Sequence, residues 1–233
     1  GEPHTHRQRP MKSLLARLCH MHARPVWKCW GRVVDVLVET ILSQNTSNAN
    51  SHAGYRQLRR AFRTWNAVAD APTQDVARAI RVSGLSNIKA PRIQKILQEI
   101  RQDNVHAGRK RLGISLEYMR DLPPREAYRR LMEFDGVGPK TAACVLLFSF
   151  GMPIFPVDTH IVRIAIRLGL VPPGTSAQKC QDLMEPSIRP KDRYAMHILL
   201  VTHGRKICRA KSPKCEWCDL LDMCPEGKKR AAK

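Results

Sequence analysis

The sequence predicts an all-α protein. Apolar residues recur at the three- and four-residue spacing of a helix face along most of the chain. No run alternates polar and apolar in the manner of a half-buried strand. Proline and glycine breakers separate the periodic stretches. In chain order, helix spacing is met by Val33, Val34, Leu37, Val38, Ile41 and Leu42, then by Ile88, Ile93, Ile96, Leu97 and Ile100. Ala127, Tyr128, Leu131 and Met132 follow, then Thr141–Phe150, Ile161–Leu168 and Ala195–Val201. The breakers fall at Ala71-Pro72, Ser83-Gly84, Leu122-Pro123-Pro124, Asp135–Gly138, Pro153–Pro156 and Val171–Gly174. Residues 1–24, rich in His, Arg and Pro, read as a basic arm, and residues 226–233 as a short charged tail.

The charge narrows the partners. Forty Lys and Arg stand against twenty Asp and Glu, a formal charge of +20 across 233 residues. Such a surplus repels itself unless a polyanion neutralises it. Nucleic acid fits best, because each phosphate contact releases counterions and gives affinity independent of sequence. A merely soluble basic protein, or one adhering to anionic lipid, is the plainer alternative. Arg outnumbers Lys, 26 to 14, and the guanidinium fork matches phosphate geometry. With 43% hydrophobic residues the chain is too apolar for a disordered one. No stretch of about 18 uncharged apolar residues is present, so no membrane-spanning helix is expected. Arg17 interrupts the Leu14-Leu15-Ala16 patch before a signal-peptide core could form, which makes an intracellular location the expectation.

Eight cysteines divide into two sets. Cys19, Cys29, Cys144 and Cys180 are scattered, and Cys144 lies in an apolar helix where it reads as core filler. Cys208, Cys215, Cys218 and Cys224 crowd into seventeen residues as C-x6-C-x2-C-x5-C. Four thiolates so close point to one metal centre. Structural zinc commonly uses two short chelating pairs, whereas one CxxC with longer arms suits a [4Fe-4S] cluster with one Cys per iron. Zinc stays open at this point. The gap between the first two ligands holds Arg209, Lys211 and Lys214, cations that a tethered loop would present to phosphate.

Leu131–Ala142 reads LMEFDGVGPKTA. A helix ends near Glu133, Gly136 and Gly138 permit a tight turn, and Pro139 suits the first position of a new helix. The turn leaves bare N–H groups at a positive helix end, ready for a phosphate. Lys140 falls in the first helical turn, where the macrodipole disfavours a cation. It reads either as a phosphate-binding ammonium or as a nucleophile. A lysine ordinarily holds its proton to about pH 10.4, and a helix end offsets only about 1 kcal/mol. A nucleophilic Lys140 therefore calls for burial and neighbouring cations. Eighteen residues on stands Val157-Asp158-Thr159-His160 before an apolar helix, with Asp158 a natural N-cap. A carboxylate would hold the proton on a nearby lysine, so Asp158 does not activate Lys140. Its chemical task would be to stabilise positive charge on a substrate sugar or to pass protons.

FDGVGPKTA, VDTH and the cysteine array together resemble endonuclease III of the helix-hairpin-helix DNA glycosylase superfamily, in order and with compatible spacing from about Val33 to Cys224. The resemblance implies a two-domain helical fold: a six-helix domain over 26–152, and a second domain of 1–25 with 153–233 that carries a [4Fe-4S] cluster on Cys208, Cys215, Cys218 and Cys224. It also implies a monomer acting on double-stranded DNA that contains damaged bases or abasic sites. The family chemistry is bifunctional: excision of an oxidised pyrimidine, then strand scission by β-elimination. Lys140 would form the Schiff base and Asp158 would be the catalytic aspartate. A damaged base must leave the stack to be reached. Gln44, in Ser43-Gln44-Asn45-Thr46, matches the residue that fills the vacated space, and Leu85, in Gly84-Leu85-Ser86-Asn87, matches its apolar partner. Asp135 departs from the proline usual in the hairpin, and the connector Arg101–Asp121 is longer than usual. Glu39 resembles a catalytic residue of the related adenine glycosylases, so a monofunctional glycosylase and a non-catalytic iron–sulfur DNA binder are the alternatives. Lys140 argues against the first, and Lys140 with Asp158 against the second.

Overall fold

The computed structural model describes the backbone of residues 4–232 and the side chains of residues 10–232; residues 1–3 of the expected arm and Lys233 of the expected tail lie outside them. Among the described residues there are helices and no strands. In chain order they are α1 (His4–His22), α2 (Val33–Leu42), α3 (Asn48–Ala61), α4 (Trp65–Asp70), α5 (Thr73–Ala79), α6 (Ser86–His106), α7 (Pro124–Glu133), α8 (Pro139–Phe150), α9 (Thr159–Arg167), α10 (Ala177–Met184), α11 (Arg193–Lys206) and α12 (Pro225–Ala231). The chain divides into two compact units, residues 29–150 and residues 1–28 with 151–233.

In the 29–150 unit, α2 and α8 form the centre. α8 is buried without a break from Ala142 to Ser149. A helix apolar on every side is stable only where neighbours cover all of it. α2 packs along it, burying Val33, Val34, Val36, Leu37, Val38, Ile41 and Leu42. Each such side chain taken from water contributes about 1.5–3 kcal/mol. The first N–H of α2 finds the Glu117 carboxylate at 2.8 Å, an anion at a positive helix end. α6 packs on α4 and α5 through Ile93, Ile96, Leu97 and Ile100. Ile88, expected on that face, is 49% exposed instead, because it lies on the outer side of α6 in line with the exposed Arg92 and Lys95. The connector Arg101–Asp121 begins as the end of α6 and continues as two short helical turns. Asn104 fixes it by donating to the carbonyls of Gly113 and Ser115, both at 2.8 Å.

The other unit corrects both expectations at the chain ends. Residues 4–22, read as an arm, form α1, and Met11, Leu14, Leu15 and Leu18 are buried on its inner face. The basic composition masked a stripe at helix spacing. The tail is helical as α12 through Ala231. α1 and α9 pack on α11 around Phe155, Ile161, Ile164 and Leu199. Buried ions hold the segments between helices. Asp192 accepts from Arg24 at 2.9 Å and from Arg189 at 2.6 Å, while Arg193 donates to the Pro153 carbonyl at 2.6 Å.

Candidate functional site

The glycine hairpin is built from the inside out. α7 stops at Glu133, and Phe134 and Val137 turn into the core. Gly136 adopts a φ of +85°, which a side chain would strain. Gly136 and Gly138 are exposed, with open space where a Cβ would lie, so the backbone here is bare. Pro139 starts α8 with its fixed φ. Lys140 sits in that first turn and is exposed; the burial that a nucleophilic amine calls for is not supplied by the protein's own packing. Asp135, in place of the usual proline, tethers the turn to α6. Its carboxylate pairs with Lys95, which holds it below the usual carboxylate range, and its N–H donates to Glu99 at 3.1 Å.

Two further loops belong to the same unit. Gln44 is half-buried and accepts from Arg92 of α6 at 3.4 Å. The next residue, Asn45, is exposed and left-handed at φ +54°. Leu85 is left-handed as well, at φ +49°, and 49% exposed, so it is not a core leucine. Glu39 of α2 pairs with His52 of α3. That contact gives it a structural task.

In the other unit, Asp158 caps α9 by accepting from the Ile161 N–H at 2.9 Å. His160, in the first turn of α9, takes a 2.9 Å contact from Arg163. Burial, reinforced by the Arg163 and Arg205 charges, pushes its pKa down against the pull of Asp158. Gly204 faces it closely: a Cβ there would lie 2.8 Å from His160 Cβ. Only glycine fits at that position.

Cys208, Cys215, Cys218 and Cys224 line one cavity of about 30 Å³, walled by Ile164, Leu168, Ile207, Leu220 and Leu221. Donors already face the sulfurs. Arg167 approaches Cys208 Sγ at 3.2 Å, the Gly227 N–H reaches Cys224 Sγ at 3.3 Å, and His203 Nε2 lies 3.5 Å from Cys218 Sγ. Burial holds the Cys218 thiol up at about 11, so loading a metal here must release protons. Among the described residues no three His, Cys, Asp or Glu side chains are gathered tightly enough for a single metal ion. The four thiols are instead spread around the cavity wall. Arg163 and Arg167, which carry no signal of their own in a basic sequence, fix the following loop. Arg163 donates to the Cys208 carbonyl at 2.9 Å, and Arg167 to those of Arg209 and Ala210 at 2.8 and 3.0 Å. Their i, i+4 spacing just past VDTH was the available hint. Arg209, Lys211 and Lys214 are exposed on that loop.

The chain is similar to known proteins. An endonuclease III from Sulfolobus acidocaldarius is 30% identical over 194 residues, covering 82% of this chain and 81% of that one. An Arabidopsis thaliana relative is 39% identical over 176 residues, 76% of this chain, and the chain spans only 57% of that relative's length. Two solved endonuclease III–DNA structures, one non-covalent and one a trapped covalent intermediate, match with TM-scores of 0.80 and 0.79 at 28% identity, covering 97% and 96% of this chain and 99% and 98% of theirs. Residues 38–190 match the HhH-GPD superfamily of base excision DNA repair proteins, and the chain belongs to that family.

Proposed function

We propose that the chain is a bifunctional DNA glycosylase and abasic-site lyase acting on oxidised pyrimidines in double-stranded DNA. The observation that carries the reading is Lys140, an exposed amine in the first turn of α8, directly after a bare-backbone glycine turn. A phosphate seated on the turn would bring the neighbouring sugar to that amine. The unprotonated amine attacks C1′, the C1′–N bond breaks, and the damaged base leaves with the bonding electrons and takes up a proton. The nitrogen then loses a proton and its lone pair expels O4′, which takes up a proton as the sugar ring opens to an iminium. C2′ loses a proton, and those electrons break the C3′–O bond, so that the 3′ phosphate departs and the imine is conjugated to a C2′–C3′ double bond. Asp158 stabilises the positive charge that develops on the sugar. Desolvation of Lys140 comes from the bound DNA, since the protein leaves it exposed. The solved endonuclease III caught as a covalent intermediate with DNA supports chemistry of this kind.

Gln44 and Leu85 fill the space of the extruded nucleotide, and Gly136 and Gly138 offer backbone to a phosphate. Arg209, Lys211 and Lys214 add counterion-releasing contacts. Cys208, Cys215, Cys218 and Cys224 hold a [4Fe-4S] cluster. Four thiols on one apolar cavity wall, with Arg167, the Gly227 N–H and His203 facing three of the sulfurs, fit the one-Cys-per-iron reading of the C-x6-C-x2-C-x5-C spacing. When bound, the cluster supplies a fixed, redox-capable anchor for the basic loop, and the excision chemistry stays with Lys140 and Asp158.

The test is borohydride trapping on abasic duplex. Wild type should give a covalent adduct, and Lys140→Gln should lose it while still binding the DNA. An adduct that survives Lys140→Gln, or wild type that binds and never traps, overturns the reading.

A further inference from the structure

We propose that Lys89 is a positioning residue for base extrusion, clamping together the roots of the loops that carry Gln44 and Leu85. The proposal rests on the reading of those two residues as the wedge. Lys89 lies in the first turn of α6 and is 1% exposed, among the most buried large side chains described. Its Nζ donates to the Leu42 carbonyl and to the Ser83 carbonyl, each at 2.8 Å. Leu42 is the last residue of α2, immediately before Ser43-Gln44, and Ser83 immediately precedes Gly84-Leu85. One ammonium therefore joins the two loops at their starting points.

The arrangement is costly to the fold and is not needed for packing. Burying an ammonium forfeits its hydration, and both bonds described for it go to neutral carbonyls. A methionine would fill the same space without burying a charge, but it would leave the two carbonyls without this donor. Lysine offers what methionine lacks: three donors on a single atom, enough to bond two carbonyls from different segments. The Leu42 carbonyl also lies at the negative end of α2, where a cation is favoured. Just beyond the two pinned carbonyls the backbone turns left-handed at a non-glycine residue in each loop, Asn45 and Leu85. Such conformations persist where the surroundings over-determine them, and they gather at functional sites. Ser83 is fixed from other sides too. Its hydroxyl donates to the Ile80 carbonyl at 2.7 Å, and its Cβ lies 3.0 Å from where a Cβ on Gly54 would be. The clamp thus sets the separation of two side chains that have to enter the duplex together.

Lys89→Met, in the full chain carrying its metal centre, tests this on two substrates. One is a duplex with a single oxidised pyrimidine and 2-aminopurine as its neighbour, where fluorescence reports extrusion. The other is a single-stranded abasic oligonucleotide, which needs no extrusion. Extrusion and single-turnover excision should fall about tenfold, equivalent to about 1.4 kcal/mol, while borohydride trapping on the single strand stays within about twofold. In a Gln44→Ala/Leu85→Ala background the same substitution should cost almost nothing more. Equal losses on both substrates, or a tenfold loss that persists in the wedge-free background, overturns the clamp. If Gln44→Ala/Leu85→Ala itself leaves extrusion untouched while Lys140→Gln still abolishes trapping, the wedge assignment and the clamp fall and the enzyme stands. Should Lys89→Met not fold, Lys89→Gln, which keeps donors on a shorter side chain, replaces it: extrusion should then fall about threefold with single-strand trapping unchanged, and equal losses on both substrates overturn the clamp.

Discussion

The two units bury different kinds of polar group. In the 29–150 unit the buried polar side chains described are hydroxyls, amides and one amine, and several tie backbone carbonyls. Gln94 donates to Val68 and Ala71, Asn104 to Gly113 and Ser115, and Lys89 to Leu42 and Ser83. Carboxylate pairs in that unit, such as Arg101–Asp70 and Lys95–Asp135, sit at its surface. The unit of 1–28 with 151–233 buries Asp192, Glu185, His197 and His203 and adds the four cavity-lining cysteines. The deeply buried polar groups of the first unit are, Lys89 apart, groups that do not titrate, whereas the second unit buries carboxylates, imidazoles and thiols. Acid and chelation should therefore act more strongly on the second unit than on the first.

The largest expected effect comes from the cysteines. If the four cysteines hold the proposed cluster, Cys218→Ala should abolish visible absorbance and cost the unit of 1–28 with 151–233 roughly 5 kcal/mol or more, because the free energy of binding a metal would be folding energy. Hydrogen exchange should show that unit opening while α2 and α8 stay protected. Equal loosening of both units would break the comparison. Next comes Asp192. Burial opposes its ionised form, but the bonds from Arg24 and Arg189 win and hold its carboxyl below the usual range. A carboxylate so depressed contributes stability above its unfolded pKa of about 3.9 and loses it as pH falls through the folded value. Asp192→Ala should cost about 1–3 kcal/mol at pH 7, and the gap from wild type should close as the pH drops below about 4. A gap in melting temperature that stays constant from pH 7 to pH 3 would refute the pairing.

What the sequence disclosed follows the same division. The six apolar-periodic stretches became α2, α6, α7, α8, α9 and α11, because helices that face a core write their spacing openly. α3, α4, α5 and α10 were missed. α3 buries only Ser51, Gly54 and Leu58, too little apolar pattern to read against its polar remainder. α1 was hidden by its His and Arg content, although Leu14, Leu15 and Leu18 carry the stripe. The hairpin and the cysteine array were legible because φ-permissive glycines and thiols are rare residues whose spacing has few other uses. Lys89, Arg163 and Arg167 were not. A lysine or arginine in a basic chain reads as a solvated charge, and only three-dimensional contacts distinguish one that holds a carbonyl.

Smaller effects should distinguish the two turns proposed to face phosphate. The loop of Arg209, Lys211 and Lys214 is fixed by two arginines of α9, so its charges are held out to a ligand at low entropic cost. Replacing all three by Gln should reduce the slope of log affinity against log salt by up to about 2.7, at roughly 0.9 for each phosphate left without its cation. An unchanged slope would remove the loop from the interface. The hairpin carries an opposing charge: Asp135 occupies the turn and engages Lys95. Asp135→Asn removes an anion from beside the phosphate position and frees a cation next to it, so DNA affinity should rise about two- to threefold with a slope steeper by roughly 0.9. The Glu99 bond to the residue 135 N–H survives the substitution, so the turn keeps one tether to α6 and the melting temperature should stay near wild type. Weaker binding from Asp135→Asn would mean that the ion pair shapes the turn more than its charge repels phosphate, and the hairpin would then resemble the cysteine loop in depending on its side-chain tethers.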